Sequence, residues 1–202
     1  MNTDKKEITS ALTHLGGAIF GIIALILLLS AAIKEDSLIA LASFLIFGLS
    51  MIFLYCTSCI YHFIDSSKKK AKVIMRKLDH IMIFVLISGT YTPVCLLILT
   101  KNIGYKLLAL VWSITIVGAL IKIFWIDAPR WVSAGLYLGM GWMSVLVFMP
   151  LVRSMDAGGI IWLCLGGLLY TAGGVIYGLK KPAINKKWFG FHELFHIFVL
   201  AG

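Results

Sequence analysis

The feature that most constrains this chain is a series of long apolar runs with few or no charged residues. Six of them, at about 12–33, 37–63, 79–100, 104–126, 131–152 and 157–179, reach the roughly 20 residues that a helix needs to cross about 30 Å of hydrocarbon. A seventh run, 188–202, is equally apolar, but at about 1.5 Å rise per residue it reaches only about 22 Å. It stops on Leu200-Ala201-Gly202 without a polar flank, which reads as a seventh span trimmed at its C-terminal end. Hydrocarbon offers no water to backbone N–H and C=O groups, so runs of this kind must be helical. The expected fold is all-α: a polytopic, seven-transmembrane helix bundle forming a single transmembrane domain over residues 1–202.

Composition supports this class and excludes others. Of 202 residues, 60% are hydrophobic and 13% are charged. Soluble domains run nearer about 45–50% and about 25%. A soluble enzyme, a nucleic-acid-binding domain and a disordered tail are all excluded, so nucleic acid is not an expected partner. The first run, at about 22 residues and without a small-residue cleavage site, is too long for a cleavable signal peptide.

The net charge of +9 reports sidedness. Seven spans send alternate loops to opposite sides. The side of the N-terminus holds 14 of the 18 Lys and Arg residues, among them the Lys68–Lys77 run and the 180–187 loop. The other side holds Lys34, Lys101, Lys106 and Arg153. The positive-inside rule then places the N-terminus in the cytoplasm. The Lys68–Lys77 run reads first as a topology signal and second as a contact for anionic lipid heads.

Ionisable residues within spans are costly and point to function. His14, His62, His80, His192 and His196 all fall near the cytoplasmic ends of their spans. A lone histidine there reads most simply as an interfacial residue satisfied by headgroups and carbonyls. The set reads differently. His192 and His196 are i and i+4, hence neighbours on one helix face. Ser58 and His62 share a face in the same way, and Asp79 begins the third span at the matching depth. Three histidines from two helices would give zinc three ligands and leave the fourth position open to water, the catalytic pattern. Asp79 would orient that water or take its proton, and Ser58 would donate to a developing oxyanion. His14 and His80 are candidates for supporting groups. His192-Glu193-Leu194-Phe195-His196 also fits HExxH, in which Glu is the general base of a zinc protease. No second block supplies a protease-like acidic third ligand.

These residues also carry a resemblance. Glu7 with Thr13-His14-Leu15-Gly16, Ser58-Cys59-Ile60-Tyr61-His62, Leu78-Asp79-His80, Gly89-Thr90-Tyr91-Thr92-Pro93, Gly139-Met140-Gly141-Trp142, Gly166–Thr171 and the final HExxH segment occur in order along the whole chain. Together they resemble the bacterial hemolysin III family, relatives of the progestin and adiponectin receptors and more distantly of alkaline ceramidases. The resemblance implies a seven-helix bundle with zinc near the cytoplasmic face, held by His62, His192 and His196. It implies a water-holding role for Asp79 and an associated role for Ser58. It demotes Glu193 from a protease base to a residue of the helix face. Relatives that hydrolyse lipid amides suggest a zinc-dependent lipid amide or ester hydrolase in a bacterial plasma membrane, with membrane lipids as partners and a lipid as substrate. The alternatives are a non-enzymatic sensor with structural zinc and a pore-forming or cytolytic factor. A pore finds no support in any span, because none carries a repeated polar stripe. Oligomeric state is not encoded in these patterns.

Smaller features read structurally. Pro93 should kink the third span, with Thr90 and Thr92 re-satisfying freed groups. The pairs Gly17/Gly21, Gly135/Gly139 and Gly174/Gly178 read as close helix packing. Cys56 and Cys59 read as small apolar filler, and the tryptophans near span ends as an interfacial belt. Lys122 and Arg130 are expected to snorkel to the cytoplasmic side.

Overall fold

The computed structural model describes residues 5–184 and 186–202. Among them all regular structure is helical, as the apolar runs require. Helix α1 runs Lys5–Lys34, α2 Leu38–Phe63, α3 Lys69–Pro93 and α4 Lys101–Phe124. They are followed by α5 (Arg130–Gly141), α6 (Phe148–Ser154), α7 (Ala157–Leu179) and α8 (Phe191–Ala201). Six segments are long and apolar enough to cross a membrane, Arg130–Ser154 counting as one. The short apolar α8 follows them. The chain is therefore a polytopic membrane bundle.

Local chemistry sets the boundaries. Ser37 caps α2 by accepting the Ala40 N–H at 3.2 Å, and Asp156 caps α7 by accepting that of Gly159 at 2.7 Å. Both satisfy donors that a helix N-terminus leaves free. Helix α3 begins ten residues before the apolar run that starts at 79, because Lys, Arg, Met and Ala are strong helix formers wherever the chain leaves hydrocarbon. The loop before it is tied by Asp65, whose carboxylate accepts the Ser67 N–H at 2.9 Å and is thereby held below its usual pKa range.

Two long runs are interrupted. After Pro93 the third span continues as a π-helical turn, Val94–Ile98, since proline lacks the N–H that an α-helix would use. Thr90 and Thr92 do not bridge the gap at Gly89. Their hydroxyls donate to the carbonyls of Leu86 at 2.9 Å and Ser88 at 2.8 Å. The fifth span passes through a 3₁₀ stretch, Trp142–Val147, just beyond Gly139 and Gly141.

Consecutive helices α1 to α4 pack against their neighbours, α3 also touches α5, α5 packs on α7, and α8 lies between α7 and α1. The bundle thus closes into a ring, with α4 flanking α3. One apolar core joins α3, α4, α5 and α6 around Phe84, Val111, Met140 and Leu151. A second joins α1, α2, α3 and α8 around Ala18, Leu54, Tyr55 and Leu86. Close approach is set by glycine: a Cβ on Gly89 would run into Ser50 Oγ of α2. Gly174 and Gly178 receive Leu138 and Ala134 of α5, and Gly17 faces Tyr55, whereas Gly135 and Gly139 face open space. The four cysteines are free thiols.

Lys122 departs from expectation. It does not snorkel outward but is 1% exposed, and its Nζ donates to Ser133 Oγ of α5 at 2.5 Å.

Candidate metal centre

Helices α1, α2, α3 and α8 bring their polar ends together at one end of the bundle. It is the end at which α1, α3 and α8 begin and α2 finishes. Alternating helix direction puts His62, at the end of α2, level with His192 and His196, in the first two turns of α8.

The ligand atoms of His62, His192 and His196 all lie within 4.8 Å of one another. His62 and His196 are each 2% exposed. The ring centroids are 4.6 Å apart for His192–His196, 5.1 Å for His62–His196 and 5.3 Å for His62–His192. His62 Nε2 and His192 Nε2 face each other at 3.4 Å. Two facing imidazole nitrogens need a proton or a cation between them. A tetrahedral zinc with Zn–N of about 2.0–2.1 Å requires an N···N edge of about 3.3–3.4 Å, so this pair fits the metal without rearrangement.

The far nitrogens of two of these rings are engaged. His62 Nδ1 donates to Glu7 Oε2 at 3.2 Å, and Lys72 Nζ donates to the same oxygen at 2.8 Å. His196 Nδ1 lies 3.3 Å from Thr13 Oγ1, whose own proton goes to the Ser10 carbonyl at 2.8 Å. Thr13 is therefore the acceptor. Both arrangements place the proton on Nδ1 and leave Nε2 as a lone pair. Such outer partners orient metal-binding histidines.

Asp79 is buried at the start of the hydrocarbon part of α3. Its carboxylate lies 3.3 Å from His80 Nδ1. It lines, with His62 and His192, a cavity of about 500 Å³ that also meets Tyr61, Arg76, His80, Arg130, Ser133 and Tyr177. Ser58, 1% exposed, stands behind Asp79 and not on the cavity wall.

Glu193 borders the cavity but is tied into the bundle. It is 2% exposed, accepts Ser10 Oγ at 2.9 Å, and accepts the Gly190 N–H at 2.7 Å. Both oxygens are thus committed, one to fixing α8 against α1 and the other to capping α8. His14 lies parallel on His196 with centroids 3.7 Å apart, and both its ring nitrogens are buried without partners. His80 donates Nδ1 to the Arg76 carbonyl at 2.9 Å and meets the Tyr177 hydroxyl through Nε2 at 3.4 Å. Neither joins the three-histidine cluster.

Sequence reasoning assigned no role to Thr13 or Ser10, and quoted Glu7 only as part of a motif. For Glu7 and Ser10 the one available signal was a helix face shared with His14, at i, i+3, i+7 spacing; Thr13 follows Ser10 by three.

A family model described as "Haemolysin-III related" matches residues 2–202. The chain belongs to this family. It is 40% identical over 202 residues to the Hemolysin-3 homolog of Bacillus subtilis (strain 168), covering 100% of this chain and 91% of that one. It is 36% identical over 198 residues to Hemolysin-3 of Bacillus cereus, covering 98% and 87%. The Adiponectin receptor protein of Drosophila melanogaster is 26% identical over 163 residues, which is 71% of this chain and 36% of that protein. The haemolysin-III match and the six apolar helices together describe a multi-pass membrane protein of this family.

Proposed function

We propose that this protein is a zinc-dependent membrane hydrolase that cleaves an amide or ester bond of a lipid at the cytoplasmic end of the bundle. The observation that carries the proposal is the convergence of His62, His192 and His196 beside an open cavity that also contains Asp79. Three imidazoles with one open side are the ligand set of a catalytic zinc site, whereas a structural site is closed by four protein ligands. Bound there, zinc would supply Lewis acidity and an acidified water.

The chain's own residues do the rest. Glu7 and Thr13 fix the tautomers of His62 and His196. Asp79, presented to the cavity, accepts the proton of the attacking water and returns it to the leaving amine or alcohol. Burial of the cluster shields it from bulk solvent, which strengthens these interactions. The positive-inside count supports a cytoplasmic placement of the site. A bacterial plasma membrane is the location that fits a chain with Bacillus relatives.

The test pairs metal analysis with an assay of fatty-acid release from lipid amides and esters. Asp79→Asn should keep zinc and lose at least about 100-fold in turnover, the range for a general base. Release that survives Asp79→Asn undiminished rejects the hydrolase. Purified protein that binds no zinc rejects the metal centre itself.

A further inference from the structure

The cavity has two unlike walls. One carries the histidines and Asp79. The other is built from the start of α3, the end of α4 and the start of α5, and it is cationic. Arg130 stands between two rings, its guanidinium carbon 5.5 Å from the Tyr177 centroid and 5.4 Å from that of Phe191. Arg76 lines the same wall and pairs at 2.9 Å with Asp127, which is 79% exposed. Lys122 is buried behind Ser133. Among the described residues no carboxylate lies within ion-pair distance of Lys122 or Arg130.

A buried ammonium without a counter-charge is expensive, and at membrane depth such a group marks a ligand path. Ser133 explains how its charge reaches the cavity. The Ser133 oxygen accepts from Lys122, so the hydroxyl proton is left to donate, and Ser133 lines the cavity. A hydroxyl that accepts from an ammonium and a guanidinium lying within 5.5 Å of two ring centroids form a set of donors facing the cavity. Arginine forks of this kind match phosphate oxygens.

We propose that this wall is a subsite for a phosphate group, with Arg130 and Ser133 as its direct donors, Arg76 at its edge and Lys122 acting through Ser133. The inference rests on the reading of the cavity as a substrate site. It makes the substrate a phosphate-bearing amphiphile, not a neutral one, with the phosphate on the cationic wall and the scissile carbonyl toward the histidines.

Binding to the purified full-length protein in detergent, carrying Asp79→Asn throughout so that ester probes are not turned over, tests this apart from hydrolysis. The probes are a monoacylglycerol phosphate, the monoacylglycerol with the same chain, and inorganic phosphate. The phosphorylated lipid should bind saturably and the neutral lipid at least about tenfold more weakly, about the weight of one charge-assisted bond. Arg130→Gln and Ser133→Ala should each erase that difference while zinc content stays at the wild-type level. Lys122→Met should reduce it. Inorganic phosphate competing at the same concentration as the lipid would support the subsite with the free anion as its source. Equal binding of the two lipids overturns the proposal, as does a preference that survives Arg130→Gln and Ser133→Ala. Zinc content is read separately, so loss of the metal centre and loss of the phosphate subsite are distinguishable.

Discussion

Helices α2 and α7 look alike as strings of letters and occupy opposite situations. Both are long, apolar and uncharged. Ten residues of α2 are buried, among them Ser43, Ser50, Ser58 and His62, whereas Gly173 is the only buried residue of α7. Large side chains of α7 such as Ile161, Trp162 and Leu168 point outward. The difference teaches that apolarity does not rank helices in a bilayer, because lipid tails accept leucine as readily as a protein core does. Glycine does not rank them either, since α7 carries seven and α2 one; what sets α2 apart is its row of buried serines, whose hydroxyls can bond their own turn inside the bundle. Ser43 and Ser50 do so, donating to the carbonyls of Ala40 at 3.0 Å and Phe47 at 2.6 Å.

The contrast can be broken by substitution. The largest effect is expected at His62→Ala, which should lower zinc from about one ion per chain to nearly none in elemental analysis, because two remaining ligands do not hold the metal. Next comes Glu7→Gln, which leaves the ligands in place but weakens the acceptor of His62. Zinc affinity, measured by competition with a chelating dye, should fall about 10–100-fold. A Gly89→Val change forces α3 away from Ser50 of α2, and thermal unfolding in detergent should show about 1–3 kcal/mol of lost stability. The smallest effect belongs to α7: Leu168→Ala, 63% exposed in the bundle, should stay within about 0.5 kcal/mol of wild type. A large loss there would mean that this face of α7 meets a protein and not lipid.

Much of the fold was legible because hydrocarbon imposes one rule on every span. Apolar runs at 37–63 and 157–179 correspond to α2 and α7 almost residue for residue. What was not legible was local in origin. The basic start of α3, Lys69–Leu78, is helical by propensity and lies outside the hydropathy signal. The site was readable where its logic is local, as in the i, i+4 pairs of His192 with His196 and Ser58 with His62. It was unreadable where contacts join distant segments. Ser10–Glu193 and Thr13–His196 are each 183 positions apart. Glu193 shows the cost of reading a motif alone: HExxH implies a free base, whereas the folded chain spends both oxygens on holding α8. Lys122 was read as an outward-reaching lysine because nothing near it in sequence announces the Ser133 hydroxyl across the helix pair.

The bond between α1 and α8 also has a consequence for how the molecule is made. Ser10 and Thr13 enter the bilayer first during synthesis, and their partners on α8 emerge only after six spans have been threaded. Until residue 196 has been made, His62 of α2 has its Glu7 partner on α1 but neither of the α8 histidines that cluster with it. A chain that stops before α8 therefore lacks two of the three clustered histidines and the α8 partners of Ser10 and Thr13.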